Sequence, residues 1–138
     1  MRPTRYENFH KHDELSNLVV PDSVAKPSQY IKRYKELGMK GYSLCNHGIL
    51  MNYGEAYYEA KKSGFKPIFA VEAYVWVDKE ATRMNHQLII AKNNDGRKEL
   101  NALLSKAWSK RMFNKRNPIY LEEILQLNPD NFILTTTC

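Results

Sequence analysis

The residues of this chain that could do chemistry are few, and their placement is uneven. His10 and His12 form a His-x-His pair in Phe9-His10-Lys11-His12, His47 sits in the turn Cys45-Asn46-His47-Gly48, and His86 opens the run His86-Gln87-Leu88-Ile89-Ile90. These are all four histidines of the chain. Each lies beside a short apolar, strand-like stretch; Glu72 is embedded in another, and Cys138 ends a last one. Imidazole is the commonest protein ligand for transition metals. The pattern therefore points first to metal chemistry.

Side chains on an extended segment alternate with a period of two, so His10 and His12 fall on one face and can reach one ion. Taken alone, such a pair is more often solvated or part of a core. Glu72 alternates with Val71 and Ala73, so one strand face must hold Glu72, Tyr74 and Trp76. A lone carboxylate in such a strand points to solvent, to a buried partner or to a metal, because burying it unpaired costs several kcal/mol. Together the imidazoles, carboxylate and thiol suit Zn²⁺ best, with Mn²⁺ or Fe²⁺ if the thiolate is not bound. Sites with a bridging carboxylate commonly hold two metals about 4 Å apart, generate hydroxide and clamp a phosphoryl group.

The elements that must position these residues follow from periodicity. The 138 residues are enough for one domain with a core, and 43% apolar and 26% charged residues are ordinary for a globular protein. Residues 6–9 read as a short strand ending on the His-x-His pair, and residues 13–24 as a loop. Ser28 is a candidate cap for a helix in which Tyr30, Ile31, Tyr34 and Leu37 recur, stopped by Gly38. A strand over residues 41–44, a helix over 52–63 stopped by Gly64, a strand within 66–77 and a strand over 86–91 follow. Asn94-Asp95 is expected to cap a long helix whose apolar face is Leu100, Leu103, Leu104, Ala107 and Trp108. A basic loop over 111–117, a short strand or turn with a short helix over 118–127, and a strand over 132–136 complete the pass. Strands alternate with helices, which predicts an α/β fold with mostly parallel strands and chemistry at their carboxyl ends. His10, His12, Asn46, His47 and Cys138 fit that rule; Glu72, inside a strand, and His86, at the start of one, fit it less simply.

The net charge of +6 and the pI near 9.3 suit an anionic partner such as nucleic acid or phosphate without requiring one. Lys106, Lys110, Arg111, Lys115 and Arg116, with Trp108 and Phe113 among them, cluster about the end of the long helix. They read either as a nucleic-acid contact or as a solvated helix face. Two cysteines, Cys45 and Cys138, define no disulfide framework, and a reducing, cytoplasmic setting is the expectation. The basic N-terminus lacks the apolar stretch of a signal peptide, and no apolar run approaches the ~20 residues that cross a bilayer.

The order of these motifs resembles the PHP (polymerase and histidinol phosphatase) domain at the N-terminus of bacterial and phage DNA polymerase III alpha subunits. His10-Lys11-His12 with Ser16 matches the family's opening motif, Leu37-Gly38 its helix end, and Cys45-Asn46-His47-Gly48 its Thr-Asp-His-Gly turn. Gly64-Phe65-Lys66-Pro67-Ile68, Glu72-Ala73-Tyr74-Val75, His86 to Lys92 followed by Asn94-Asp95-Gly96, and Thr136-Thr137-Cys138 continue it in order. The resemblance covers nearly the whole chain. It implies that residues 1–138 are the N-terminal part of a distorted seven-stranded β/α barrel. It further implies that His10, His12, His47, Glu72, His86 and Cys138 are metal ligands, and that Asp22 is an acidic ligand or stands behind one.

Two departures stand out. The family's Asp before the turn histidine is Asn46 here, which cannot supply the same charge. The family's final Asp-x-His lies further downstream than Cys138, so the expectation is a fragment lacking part of the barrel and the polymerase core. The expected function is that of a replicative DNA polymerase III alpha fragment with a metal-dependent phosphoesterase or 3′-to-5′ exonuclease site. DNA, the remaining polymerase domains and other replisome subunits would be its partners, and no membrane. The alternatives are a stand-alone phosphoesterase acting on a small phosphomonoester, and a non-catalytic module with a structural metal.

Overall fold

The computed structural model describes residues 6–51, 53–110 and 118–137. Four α-helices flank one five-stranded sheet: α1 (Pro27–Glu36), β1 (Gly41–Leu44), α2 (Tyr53–Lys62), β2 (Lys66–Trp76), β3 (Asn85–Ala91), α3 (Asn94–Ser109), β4 (Ile119–Tyr120), α4 (Leu121–Leu125) and β5 (Phe132–Thr136). A 3-10 turn at Glu14–Leu18 interrupts the expected loop. Its start is capped by Asp13, whose carboxylate accepts from the Leu15 amide at 3.1 Å.

The sheet runs β1-β2-β3-β5, with β4 on the same side of the long strand β2 as β1. Gly41–Leu44 pair in parallel with Lys66–Phe69, and Ile119–Tyr120 in parallel with Val75–Trp76. β3 is antiparallel to both β2 and β5. The sheet is thus mixed rather than mostly parallel: β3 alone runs against the other four. The reason is the link over residues 77–84, which is too short and carries no helix. A parallel return needs a crossover of a dozen or more residues, whereas an antiparallel one needs only a turn.

Residues 6–9 are not a strand. They lie beside β1, held there by side chains. The Glu7 carboxylate accepts from the Gly41 amide at 2.9 Å, and Ser43 Oγ donates to the Phe9 carbonyl at 2.7 Å. The caps also differ from expectation. Lys26 precedes α1, Pro27 is its first residue, and Gln29 Oε1 reaches back to the Lys26 amide at 2.8 Å, so Ser28 is not the cap. Asn93, not Asn94, caps α3 through the Gly96 amide at 2.8 Å. Gly38 and Gly64 follow α1 and α2 with φ of 72° and 79°, as stops should.

The main core forms where one face of β2 meets α3: Val71, Ala73 and Val75 pack with Leu100, Leu103, Leu104 and Ala107, joined by Ile89, Ile119 and Phe132. A second cluster joins α1 and α2 to β1 through Ile31, Tyr34, Leu44, Ala56 and Ala60. On the other face of β2, Ala70 packs beside Cys45, Leu88 and Ile90. Beyond Ala70 that face carries Glu72 between buried neighbours, and there the candidate site lies.

Candidate metal centre

Three backbone features bring the candidate ligands together. First, β1 ends at Leu44 while β2 runs on, so the turn after β1 lies against the middle of β2. The Glu72 amide donates to the Asn46 carbonyl at 3.1 Å, and the Gly48 amide to the Glu72 carbonyl at 2.8 Å. His47 and Glu72 therefore pair as an isolated parallel bridge. Gly48 closes this turn at φ 57°, a left-handed conformation that favours glycine. Second, β3 is reversed, so its start lies at the carboxyl end of β2, with His86 opposite Tyr74. That reversal is why a histidine at the start of a strand reaches a site built at the ends of others. Third, the segment after Phe9 crosses the same end. Its His12 carbonyl is fixed by Tyr30 Oη at 2.8 Å and Ser23 Oγ at 2.9 Å.

At their convergence Glu72 is 1% exposed, and its carboxylate lies within reach of all four histidines. Oε2 is 3.0 Å from His10 Nε2, 3.0 Å from His12 Nε2 and 3.1 Å from His47 Nδ1. Oε1 is 2.8 Å from His86 Nδ1. His10 and His12 also meet Nε2 to Nε2 at 3.2 Å, which confirms that the pair shares a face. The His12 and His47 rings stack at 4.0 Å. Asp22 Oδ2 lies 2.7 Å from His47 Nε2, so the acidic residue of the first loop joins the cluster.

The distance of His47 Nδ1 to Glu72 falls within ion-pair range, yet this buried nitrogen makes no hydrogen bond among the described residues. The Nε2 atoms of His10 and His12 also face each other at 3.2 Å. Their separations, 3.0–3.2 Å among His10 Nε2, His12 Nε2 and Glu72 Oε2, are close to the ~3.3 Å between neighbouring ligands on a tetrahedral ion bound at about 2.0 Å. A second grouping, His12, Asp22 and His47, also brings one ligand atom of each residue within 4.8 Å of the others. The donor atoms present thus fit one or two divalent cations.

The electrostatics agree. Burial alone would push the Glu72 carboxyl up, but hydrogen bonds from His12 and His10 and the neighbouring His47 hold it well below the usual carboxylate range. It is an anion, as a ligand must be. Burial lowers the pKa of His47 despite its hydrogen bond with Asp22, which favours the neutral imidazole that binds metals. The thiol of Cys45, in contrast, is pushed up to about 12, first by burial and then by Glu72, and stays a protonated core residue.

Some predicted positions sit otherwise. Cys138, Arg111, Lys115, Arg116 and Phe113 lie outside the described residues. Lys110 and Lys106 both reach the buried Glu123, at 2.5 Å and 2.9 Å, so their charge is spent on a partner within the fold. Asn46 faces away from the histidines: its Nδ2 donates to Asp13 Oδ1 at 2.8 Å, and its Oδ1 accepts from the Asp13 amide at 3.0 Å.

Sequence reasoning did not single out Asp13, Lys11 or the contact of Trp108 Nε1 with the Gly48 carbonyl at 2.8 Å. Lys11 is 5% exposed, bonded to Tyr42 Oη at 2.6 Å and 3.6 Å from Asp13 Oδ2. Burial lowers its pKa to about 8, although Asp13 opposes the shift. The only signal in the sequence was the alternation itself, which turns Lys11 inward when its histidine neighbours face the site.

Fold and site together define a member of a known class: the sequence matches the PHP domain over residues 8–138, and the chain belongs to that family. The curated relatives it matches include DNA polymerase III alpha subunits. It is 37% identical over 108 residues to the DNA polymerase III subunit alpha of Helicobacter pylori, covering 75% of this chain and 9% of that protein. It is 29% identical over 143 residues to that of Borreliella burgdorferi, covering 98% of this chain and 12% of that protein. The chain thus spans about a tenth of the length of these relatives and is homologous to their PHP region. Among solved structures it is similar to a protein from Bifidobacterium adolescentis classed as a metal-dependent phosphoesterase. That match has a TM-score of 0.47 and 16% identity, covering 64% of this chain and 29% of the other. No helix among the described residues is long and apolar enough to cross a membrane.

Proposed function

We propose that this chain is the PHP portion of a replicative DNA polymerase III alpha-type protein, and that its histidine cluster is a metal-dependent phosphoesterase site of the 3′-to-5′ exonuclease type. The observation that carries this reading is Glu72: one buried carboxylate meeting all four histidines of the chain within 3.1 Å. His10, His12, His47, Glu72 and His86, with Asp22 on the rim and Cys138, which lies outside the described residues, would hold the metals, Zn²⁺ foremost. When bound, such ions lower the pKa of water and neutralise charge on a phosphoryl group.

The residues themselves do the positioning. Glu72 keeps its charge under the histidines and orients them. Asp22 fixes the His47 ring through Nε2. The His10 side chain, at 35% exposure, leaves the cluster open to a substrate end on that side. DNA and the remaining polymerase domains would be the partners. The sheet would belong to the seven-stranded barrel of the family. Strand β5 supports this, because it pairs only with β3 among the described residues and leaves Ile133 and Leu134, on opposite faces, about half exposed.

The test is metal analysis of the purified chain beside hydrolysis of a 3′-labelled single-stranded DNA and of a small phosphomonoester. Bound Zn²⁺ with release of 3′-terminal nucleotides is the expected result. Metal without hydrolysis would replace the enzyme with a structural metal module. Hydrolysis of the phosphomonoester alone would make it a small-molecule phosphatase. A chain that takes up no divalent metal would end the reading.

A further inference from the structure

Behind the histidines lies a second, fully buried polar cluster in which every member neighbours a candidate ligand in sequence. Lys11 stands between His10 and His12, Asp13 follows His12, and Asn46 precedes His47. Asp13 and Asn46 are both 0% exposed and Lys11 is 5% exposed. Two bonds, Asn46 Nδ2 to Asp13 Oδ1 at 2.8 Å and the Asp13 amide to Asn46 Oδ1 at 3.0 Å, tie segments that are 33 residues apart. Asp13 Oδ1 also accepts from the Leu15 amide, and Oδ2 faces the Lys11 ammonium at 3.6 Å.

We propose that Asp13 and Asn46, with Lys11 as counter-ion, form the positioning device of the metal centre, holding the His10–His12 segment at a fixed distance from the His47 turn. Asp13 supplies the negative charge of the pair and Asn46 the donor. The amide at position 46 is therefore no defect of the site, because the charge it lacks is carried one hydrogen bond away. This inference rests on the metal-centre reading given above.

The chemistry of the pair explains why neither residue can change alone. Asp13→Asn sets an amide N–H₂ against either the Asn46 amide or the Lys11 ammonium, donor against donor. Asn46→Asp sets two buried carboxylates 2.8 Å apart. Exchanging both restores one carboxylate, one amide and a bond between them, at the cost of the bond to the Leu15 amide and of the carboxylate charge that faces Lys11, which moves to position 46.

The experiment titrates the metal-stripped chain with Co²⁺, following its visible ligand-field absorption, while far-UV circular dichroism reports the fold. The parent, Asp13→Asn, Asn46→Asp and the double exchange are compared. Each single variant is expected to bind Co²⁺ about 10–100-fold more weakly with an altered band, in line with losses of groups that orient ligands. The double exchange is expected to regain part of the affinity, clearly above the weaker single variant, and to move the band back towards that of the parent. If a single variant does not fold, a double variant that folds and binds supports the proposal equally. A single variant indistinguishable from the parent overturns it, as does a double variant that folds but binds no better than the weaker single. A parent that binds no Co²⁺ removes the metal centre itself, and this proposal with it.

Discussion

The two faces of β2 obey one alternation and do opposite things. Val71, Ala73 and Val75 belong to the apolar core that includes the α3 leucines, while Glu72 between them meets four imidazoles. The apolar face is stabilised without direction, roughly in proportion to the area removed from water. The polar face gains little from burial and depends on each donor finding its acceptor. The first can therefore supply the stability that the second consumes. Substitutions on the two faces should separate into those that cost folding and those that cost metal.

The largest effect is expected on the apolar face. Leu100, 0% exposed in the core against β2, truncated to Ala should lose about 2–5 kcal/mol of unfolding free energy in denaturant titration. Metal bound per folded molecule should not change. On the other face, Glu72→Gln keeps the shape and removes the charge. It should weaken Zn²⁺ binding about 100-fold or more, worth about 2.8 kcal/mol, measured by competition with a chromogenic chelator. Its metal-free stability should fall less than that of Leu100→Ala. Equal losses would collapse the distinction and make the polar face a structural network.

Metal removal sharpens the same contrast. At a free ion concentration 100 times its dissociation constant, binding adds about 2.7 kcal/mol to the folded state. A chelator should lower the thermal midpoint of the parent accordingly and that of Glu72→Gln far less, because a 100-fold weaker site at the same free ion concentration adds only about 0.4 kcal/mol.

The apolar face was far more legible in the sequence than the polar one. The spacing of Leu100, Leu103, Leu104 and Ala107 marks a helix face, and the alternation around Glu72 marks a strand, because both periods are local. The His-x-His geometry was readable for the same reason. What escaped are pairings that only the folded chain creates. The direction of β3 depends on a link without a helix, and with it the route by which His86 arrives. The exchange of bonds between Asp13 and Asn46 joins positions whose residue types say nothing of each other. Asn46 read as a loss because its partner was invisible.

A smaller effect tests the basic residues beyond α3. Burial would raise the Glu123 carboxyl, but Lys110, Lys106 and the Tyr120 amide outweigh it and hold it at about 2. A depressed folded value means that the stabilisation is present above the ordinary 4.5 and is lost as the pH falls from there towards 2. Glu123→Gln should cost about 1–2 kcal/mol at neutral pH, Lys106 adding little because it is largely exposed. The variant should also flatten the pH dependence of stability in that acid window. An unchanged acid limb would release Lys106 and Lys110 from their structural role and reopen them as contacts for DNA.

The smallest effect lies where the two faces touch. Trp108 belongs to α3, on the apolar side, yet its Nε1 donates to the carbonyl of Gly48, next to His47. Trp108→Phe keeps an aromatic ring in the pocket it lines with Ile49 and Leu104 and removes the bond to the Gly48 carbonyl. Stability should fall by about 0.5–1.5 kcal/mol. Because the bond ends on the turn that carries His47, the proposed site should lose Zn²⁺ affinity as well, by less than about tenfold. In the parent, Zn²⁺ addition should change the emission of Trp108, since the ion would fix the turn to which the indole is bonded; Trp76 fluorescence in the variant serves as the control. A loss of stability with affinity untouched would show that the core and the metal turn are mechanically independent despite the hydrogen bond between them. A loss of both would make α3 part of the scaffold that sets the position of His47.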